Sequence, residues 1–361
     1  MLLVIFGAGA SFDSADVPQM PVRPWLRPPP LAKELADKRF NEIAAELPNC
    51  LPIIDRLRHR MADNPDAFSL ETELAKLTEA SIDSAERRQQ LAAFQIYLHR
   101  VVAKASNEWM NATAGLTRYL TLLNYIYDWH CQTGMAVRLA TFNYDLLLDA
   151  AAAGLVADWR LYTFEDYISR SDFRLFKLHG STSWSRVHHF NRHTRSVSAA
   201  MELAAANQLG EGLLTADPPR EDALSSHDPD AGHTTYSVAL PAIAIPMEGK
   251  TTFECPEPHI AALRADLPEV TQLLIVGWRA AEPHAVELLA GSAPQEGLHP
   301  AYALGIVSGS EQDSEETLRN LNPVAARGRL AFTEAGGFSA FIGNLGAHMT
   351  ALHDATPRGK P

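Results

Sequence analysis

Asn143, Asp145 and His179 are the side chains best suited to do chemistry, and each stands just beyond a short apolar run. Asn143 and Asp145 lie in Thr141-Phe142-Asn143-Tyr144-Asp145, after Ala136-Val137-Arg138-Leu139-Ala140. His179 lies in Leu178-His179-Gly180-Ser181, at the end of a run that starts at Phe173. Two glycine strings share that placement: Gly7-Ala8-Gly9-Ala10-Ser11 follows Leu2-Leu3-Val4-Ile5-Phe6, and Val276-Gly277-Trp278 closes Gln272-Leu273-Leu274-Ile275. Such runs read as buried parallel strands. Strand carboxyl ends in an open α/β sheet line one edge, where ligands bind. The four strings are therefore expected to converge on one crevice, a nucleotide site equipped for proton transfer.

In the first string the glycines allow a tight turn and close backbone approach, and Ser11 is placed to cap the following helix. Backbone N–H groups at that helix start would face a diphosphate; the other reading is plain turn chemistry. The string lacks the third glycine of the dinucleotide fingerprint and the Gly-Lys-Ser/Thr of a P-loop, which disfavours an ordinary dehydrogenase or ATPase. Taken singly, Asn143 or Asp145 could merely cap the helix expected over 146–153, and His179 could be structural.

Together the strings resemble the sirtuin superfamily, and within it the bacterial sirtuin-like branch associated with phage defence. The resemblance is carried by Gly7-Ala8-Gly9-Ala10-Ser11, the Asn-x-Asp of Asn143 and Asp145, Leu178-His179-Gly180, Val276-Gly277-Trp278, and Gly337-Phe338-Ser339-Ala340-Phe341. It runs from Met1 to about Leu345, with its specificity in the motifs. It implies a Rossmann-like sheet that binds NAD and cleavage of the bond between nicotinamide and ribose. By the same resemblance Gly7, Ala8, Gly9 and Ser11 form the loop for the NAD phosphates and ribose. Asn143 orients the nicotinamide ribose or the attacking water, Asp145 contacts the nicotinamide side, and His179 is the catalytic base. Gly180, Gly277 and Trp278 fall near the cofactor, and Ser308, after Leu304-Gly305-Ile306-Val307, falls where the adenosine half ends.

Departures from the family pattern shape the expected reaction. Protein-deacylating sirtuins typically carry a zinc ribbon of two Cys-x-x-Cys pairs; this chain has three cysteines, Cys50, Cys131 and Cys255, so no zinc is expected. The Gly-Ile-Pro-Asp-Phe-Arg string is replaced by Phe12-Asp13-Ser14-Ala15-Asp16-Val17-Pro18 and Arg27-Pro28-Pro29-Pro30-Leu31, and Trp278-Arg279 stands where small hydroxyl residues are usual. These losses favour water as the nucleophile, and the expected reaction is hydrolysis of NAD to ADP-ribose and nicotinamide. Positive charge builds on the ribose as neutral nicotinamide leaves, so rate comes from stabilising that state more than bound NAD. An imidazole, with an ordinary pKa of roughly 6.5, suits the base. The alternatives are a sirtuin-type deacylase or ADP-ribosyltransferase, and a non-catalytic nucleotide-sensing subunit. The resemblance further implies an antiphage effector that acts as a homo-oligomer, or under an Argonaute-like or ring-ATPase partner.

The bulk properties set bounds. A chain of 361 residues can form a large α/β core and a second subdomain. Its 31 basic and 43 acidic residues give a net charge of −12, which disfavours direct nucleic-acid binding. The pair Arg87-Arg88 reads as a solvated helix face. No apolar run reaches the roughly 20 residues that span a bilayer. The first strand leaves no room for a targeting sequence, and sparse unpaired cysteines fit a reducing cytoplasm.

The expected fold class is α/β, a Rossmann-like parallel sheet with a helical insertion subdomain over the nucleotide cleft. Residues 1–30 and 133–345 form the core, with a flexible insertion at about 185–238. Residues 31–132 form the helical subdomain, and 346–361 are a helix end and disordered tail. Three- and four-residue apolar spacing marks helices over 31–47, 71–81, 85–106 and 116–129. Within the insertion, His189 and His193 could meet as metal ligands on a helix face, but a solvated loop is the favoured reading. An Ala-rich helix is expected over 198–208. Beyond the insertion, strands are expected over 241–245, 272–276, 302–307 and 329–332, and helices over 258–267, 283–290, 311–321 and 337–353. Lys250 could reach a phosphate or be solvated.

Overall fold

The computed structural model describes residues 1–16, 26–63, 69–155, 159–190, 197–207, 212–228, 233–246, 252–291 and 296–356. Readings that fall on Val17, Pro18, His193, Lys250 and the tail beyond 356 lie outside the described residues. In chain order the strands are β1 (Leu2–Phe6), β2 (Val137–Thr141), β3 (Phe173–Lys177), β4 (Gly180–Phe190), β5 (Leu213–Thr215), β6 (Arg220–Asp228), β7 (His233–Ile243), β8 (Gln272–Val276), β9 (Ala303–Val307) and β10 (Arg329–Glu334). The chain divides into two compact units: Met1–Pro29 with Ala105–His179 and Lys250–Pro361, and Pro30–Lys104 with Gly180–Gly249.

The first unit is built on a six-stranded sheet in the order β10-β9-β8-β1-β2-β3, parallel throughout. Numbered among themselves in chain order these strands run 6-5-4-1-2-3, the doubly wound Rossmann arrangement, and the winding reverses between β1 and β8. Every residue of β1, β2, β8 and β9 is buried, as a parallel sheet covered on both faces requires. Ile5, Leu273, Ile275, Leu304 and Ile306 pack with Leu263, Val286 and Leu289 from the helices Glu257–Asp266 and Pro283–Ala290. The helix Arg118–Thr133 buries Tyr119, Leu122, Leu123 and Ile126; Thr117 caps its start, and Gly134, at φ +69°, ends it. The closing helix expected over 337–353 is two helices, Gly337–Gly343 and Leu345–Ala355. The break falls at the Gly343-Asn344 pair, two residues that disfavour helix interiors.

His259, on Glu257–Asp266, is 1% exposed, its Nε2 is 2.9 Å from the Phe164 carbonyl, and its ring meets Phe164, Tyr167 and Phe176. Burial lowers its pKa, and the hydrogen bond to Phe164 works against that only in part. The unfolded chain therefore takes up the proton first. The stability that neutral His259 contributes is present above the unfolded value of about 6.5 and is lost as the pH falls below it. Thermal melts from pH 7 to pH 5 should show a shallower fall in Tm for His259→Gln than for the wild type.

In the second unit the sheet order is β5-β4-β7-β6, antiparallel throughout. Its helices include Leu51–Asp63, Leu70–Ser81 and the first part of Ala85–Thr113. Val238 and Leu240 are buried while Ser237 and Ala239 are half-buried, the alternation of a sheet covered on one face. Gln95 donates to the carbonyls of Pro241 and Ile243 at 3.1 and 2.9 Å, which ties helix to sheet.

Three expectations are corrected here. The stretch 185–238 supplies strands of this sheet in place of an irregular insertion, and His188 and His189 lie on β4, where backbone pairing overrides a polar sequence. Its helix spans Val197–Ala205. The strand expected over 241–245 is the end of β7, antiparallel and in this sheet. The single helix expected over 31–47 is broken into turns at Ala32–Glu34 and Lys38–Phe40 and a helix at Asn41–Glu46. Asp37 makes one break, its carboxylate accepting from the Arg39 N–H at 2.9 Å.

Candidate functional site

Strand register sets the site. Lys177, Thr141, Phe6, Val276, Val307 and Glu334 form one row across the sheet, each the last residue of its strand. One step further stand Leu178, Phe142, Gly7, Gly277 and Ser308, still bonded to their neighbours. Gly7 N–H donates to Val276, Phe142 to Phe6, Leu178 to Thr141, Gly277 to Val307 and Ser308 to Glu334, all at 2.8–3.0 Å. The strings picked out in the sequence thus leave the sheet at one level, around the reversal between β1 and β8.

At that reversal the two glycine strings pack backbone to backbone. A Cβ on Gly7 would lie 2.5 Å from the Gly277 carbonyl oxygen, and one on Gly277, at φ +64°, 2.4 Å from the Ala10 nitrogen. The helix after β1 is short, Ala8–Phe12, with Gly7 as its N-cap. The Gly9 N–H donates to the Gly277 carbonyl at 3.2 Å, so it is committed within the turn. Ala8 is exposed and Gly9 half-buried, which leaves the outer side of the turn free of bulk.

Ser11 corrects one expectation: it lies inside this helix, which has no side-chain cap. Its hydroxyl is buried, 2.9 Å from the Tyr119 hydroxyl, and bonds the Asp145 carboxyl. The Asn143 amide joins the same group. Its Nδ2 donates to the Gly7 carbonyl at 2.8 Å and lies 2.9 Å from Ser11 Oγ and 3.2 Å from Tyr119 Oη. A carbonyl only accepts, so the nitrogen of the amide must face Gly7. What Asn143 has left to offer a ligand is Oδ1, an acceptor.

Asp145 caps the helix Leu147–Leu155, its Oδ1 accepting from the Leu147 N–H at 3.0 Å. Burial pushes its carboxyl above the usual carboxylate range, against the pull of Lys177 and the Ser11 hydroxyl. Tyr119 is likewise held well above its ordinary value by burial and by the nearby Asp145. Burial acts in the same direction on both groups, against the charged form.

His179 ends the first unit's central segment and is 8% exposed. Its ring meets Phe142 edge-on at 4.9 Å and lies parallel to Tyr144 and His284 at 6.4 and 6.3 Å. Phe142 in turn stacks on Trp278 at 4.7 Å, joining the β2, β3 and β8 ends in one aromatic group. Trp278 itself is a core residue, 5% exposed, with its indole N–H given to Glu282 at 2.7 Å. Ser308 is also committed, its hydroxyl 2.8 Å from the Ser310 carbonyl and 2.6 Å from Ser314 Oγ. Gly180 opens β4 in the second unit, where at φ +85° a Cβ would lie 2.0 Å from the Ala242 oxygen.

Sequence reasoning missed Tyr119, Lys177, Asp149 and His284. Lys177 was legible as a charge inside an apolar strand; Tyr119 reads as one more core aromatic of its helix. Among the described residues no group of three His, Cys, Asp or Glu is placed to hold a metal, and no helix is long and apolar enough to cross a membrane.

The strand order, the in-register ends and the glycine contact at the reversal define a Rossmann-like α/β protein with a buried polar network at its topological switch point. No protein-family model and no curated protein matches the chain. Among similar solved structures is Sir2 in complex with the inhibitor EX-527, 2'-O-acetyl-ADP-ribose and deacetylated p53 peptide. It is 11% identical over 97% of this chain and 94% of that one, with a TM-score of 0.35. At that score the likeness adds nothing to what the strand order itself establishes.

Proposed function

We propose that the chain is an NAD hydrolase that releases nicotinamide and ADP-ribose. The observation that carries this reading is the meeting of Gly7, Asn143 and Ser11 at the switch point of the sheet, beside a β3 end that bears His179. The motif resemblance supports it independently. The open side of the Gly7–Gly9 turn suits a diphosphate, and Asn143 Oδ1 suits a hydroxyl donor, either a ribose hydroxyl or the attacking water. His179 then takes the proton as water adds to the ribose carbon and nicotinamide departs with the electron pair of the broken bond. Asp145 keeps the Asn143 turn in place and contacts the nicotinamide side.

We extend the proposal to an effector of antiphage defence, supported by the motif resemblance alone. Unchecked loss of NAD kills the host, so the activity calls for control by a homo-oligomer or by an Argonaute-like or ring-ATPase partner. The purified chain is incubated with NAD and no peptide, and nicotinamide and ADP-ribose are followed by chromatography. Equal release of both is expected. Product that forms only with an acyl-peptide overturns the hydrolase in favour of a deacylase, and NAD that persists under every addition leaves a binding protein.

A further inference from the structure

Lys177 is the last residue of β3 and is 0% exposed. A lysine is almost never fully buried unless it is paired. Its Nζ donates to Asp149 Oδ2 at 2.7 Å and to the backbone carbonyl of Asp145. Asp149, 7% exposed, also accepts from the Tyr167 hydroxyl at 2.9 Å, and Tyr167 is itself 1% exposed. The carboxylate alone would neutralise the lysine. The second bond, to a main-chain carbonyl in the Asn143–Asp145 turn, is not needed for charge balance.

That second bond joins two segments of the site. The turn carrying Asn143 follows β2, and His179 stands two residues beyond Lys177 on the extension of β3. The ammonium therefore fixes the separation of these chain segments at the level where they leave the sheet. We propose that Lys177, held by Asp149, is a positioning residue that sets Asn143 against His179. The inference rests on the hydrolase reading for its consequence in turnover, and on the geometry alone for its effect on the turn.

The geometry also explains why an ionic group was placed here. An apolar side chain would pack the space at no cost of desolvation, since replacing a buried ion pair by apolar residues is often neutral or stabilising. It would leave the Asp145 carbonyl without this donor. Lys177 and Asp149 balance one another, and the ammonium's remaining hydrogen-bonding capacity goes to the turn.

The test separates charge from position. Lys177→Met alone strands Asp149 without its cation and should lower Tm sharply or fail to fold. Lys177→Met/Asp149→Asn removes both charges, keeps an acceptor for Tyr167, and should melt within a few degrees of the wild type. In that double variant we expect kcat for NAD hydrolysis to fall by at least about tenfold, with KM changed by less than about threefold, since misplacement of reacting groups acts on turnover. Amide hydrogen exchange in the absence of NAD should rise at residues 143–147 and stay unchanged in β8 and β9.

A double variant with wild-type exchange at 143–147 and wild-type kcat overturns the proposal and leaves Lys177 a structural ion pair. Exchange is read without substrate, so the two readings fail separately. A wild type that leaves NAD intact overturns the hydrolase, whereas unchanged exchange overturns the positioning role.

Discussion

Replacing His179 with Ala should lower NAD turnover by roughly 10²- to 10⁴-fold, the usual contribution of a positioned acid or base. The ring also packs against Phe142, Tyr144 and His284, so Tm is to be followed beside turnover. Asn143→Ala should behave differently. It removes the amide that lies against Gly7, Ser11 and Tyr119, and the Gly7 carbonyl keeps only its bond from the Ala10 N–H. A lost buried hydrogen bond costs about 0.5–1.5 kcal/mol, so this variant should lose stability as well as turnover. Paired melts and progress curves separate the two. Full activity in both variants would remove the assignment of base and orienting residue.

Gly277→Ala is expected to be strongly destabilising. The residue is at φ +64°, where a side chain costs about 1–2 kcal/mol, and the added Cβ would sit 2.4 Å from the Ala10 nitrogen and 2.7 Å from the Gly9 carbonyl carbon. Both neighbours are backbone, so relief requires the turn after β1 to move away from β8. Overpacking of this kind costs about 1–3 kcal/mol more. Together these should lower Tm by roughly 5–15 °C. The same shift would break the Gly9-to-Gly277 bond, so any residual folded protein should bind NAD weakly. Gly343→Ala is the matched control: no heavy atom lies within 4 Å of its added Cβ, and Tm should not fall.

The sheet of the first unit was legible because β1, β2, β8 and β9 are buried on both faces. Leu2–Phe6 and Leu273–Val276 are continuous apolar runs with glycine immediately after, and their ends needed no tertiary information to locate. The second unit was not legible for the converse reason. β4 mixes Ser183, Trp184, Ser185, Arg186, Val187 and His188, in which alternation is hidden by small and amphipathic residues. At the site, the identities of Asn143, Asp145 and His179 came from residue type and position. Their partners did not, because Tyr119 is 108 residues from Ser11 and 24 from Asn143, and a side-chain hydrogen bond leaves no local pattern in the chain. Trp278 and Ser308 show the opposite limit. Their strings were found, but packing commits the indole and the hydroxyl to the protein itself.

One of the two middle strands of the six, β1, is the first of them to be synthesised, and its neighbours come late: Leu2 pairs with Val137 on one side and with Gln272 on the other. During translation it remains an apolar strand with open edges, the kind of segment that invites association with other chains. Pairings this distant in sequence also place the first unit among slow folders, whose rate is set by closing large loops. The turn after β1 is packed only once Gly277 arrives against Gly7. A nascent or prematurely terminated chain that stops short of β8 can hold Asn143 and His179, yet it lacks the wall that completes their site.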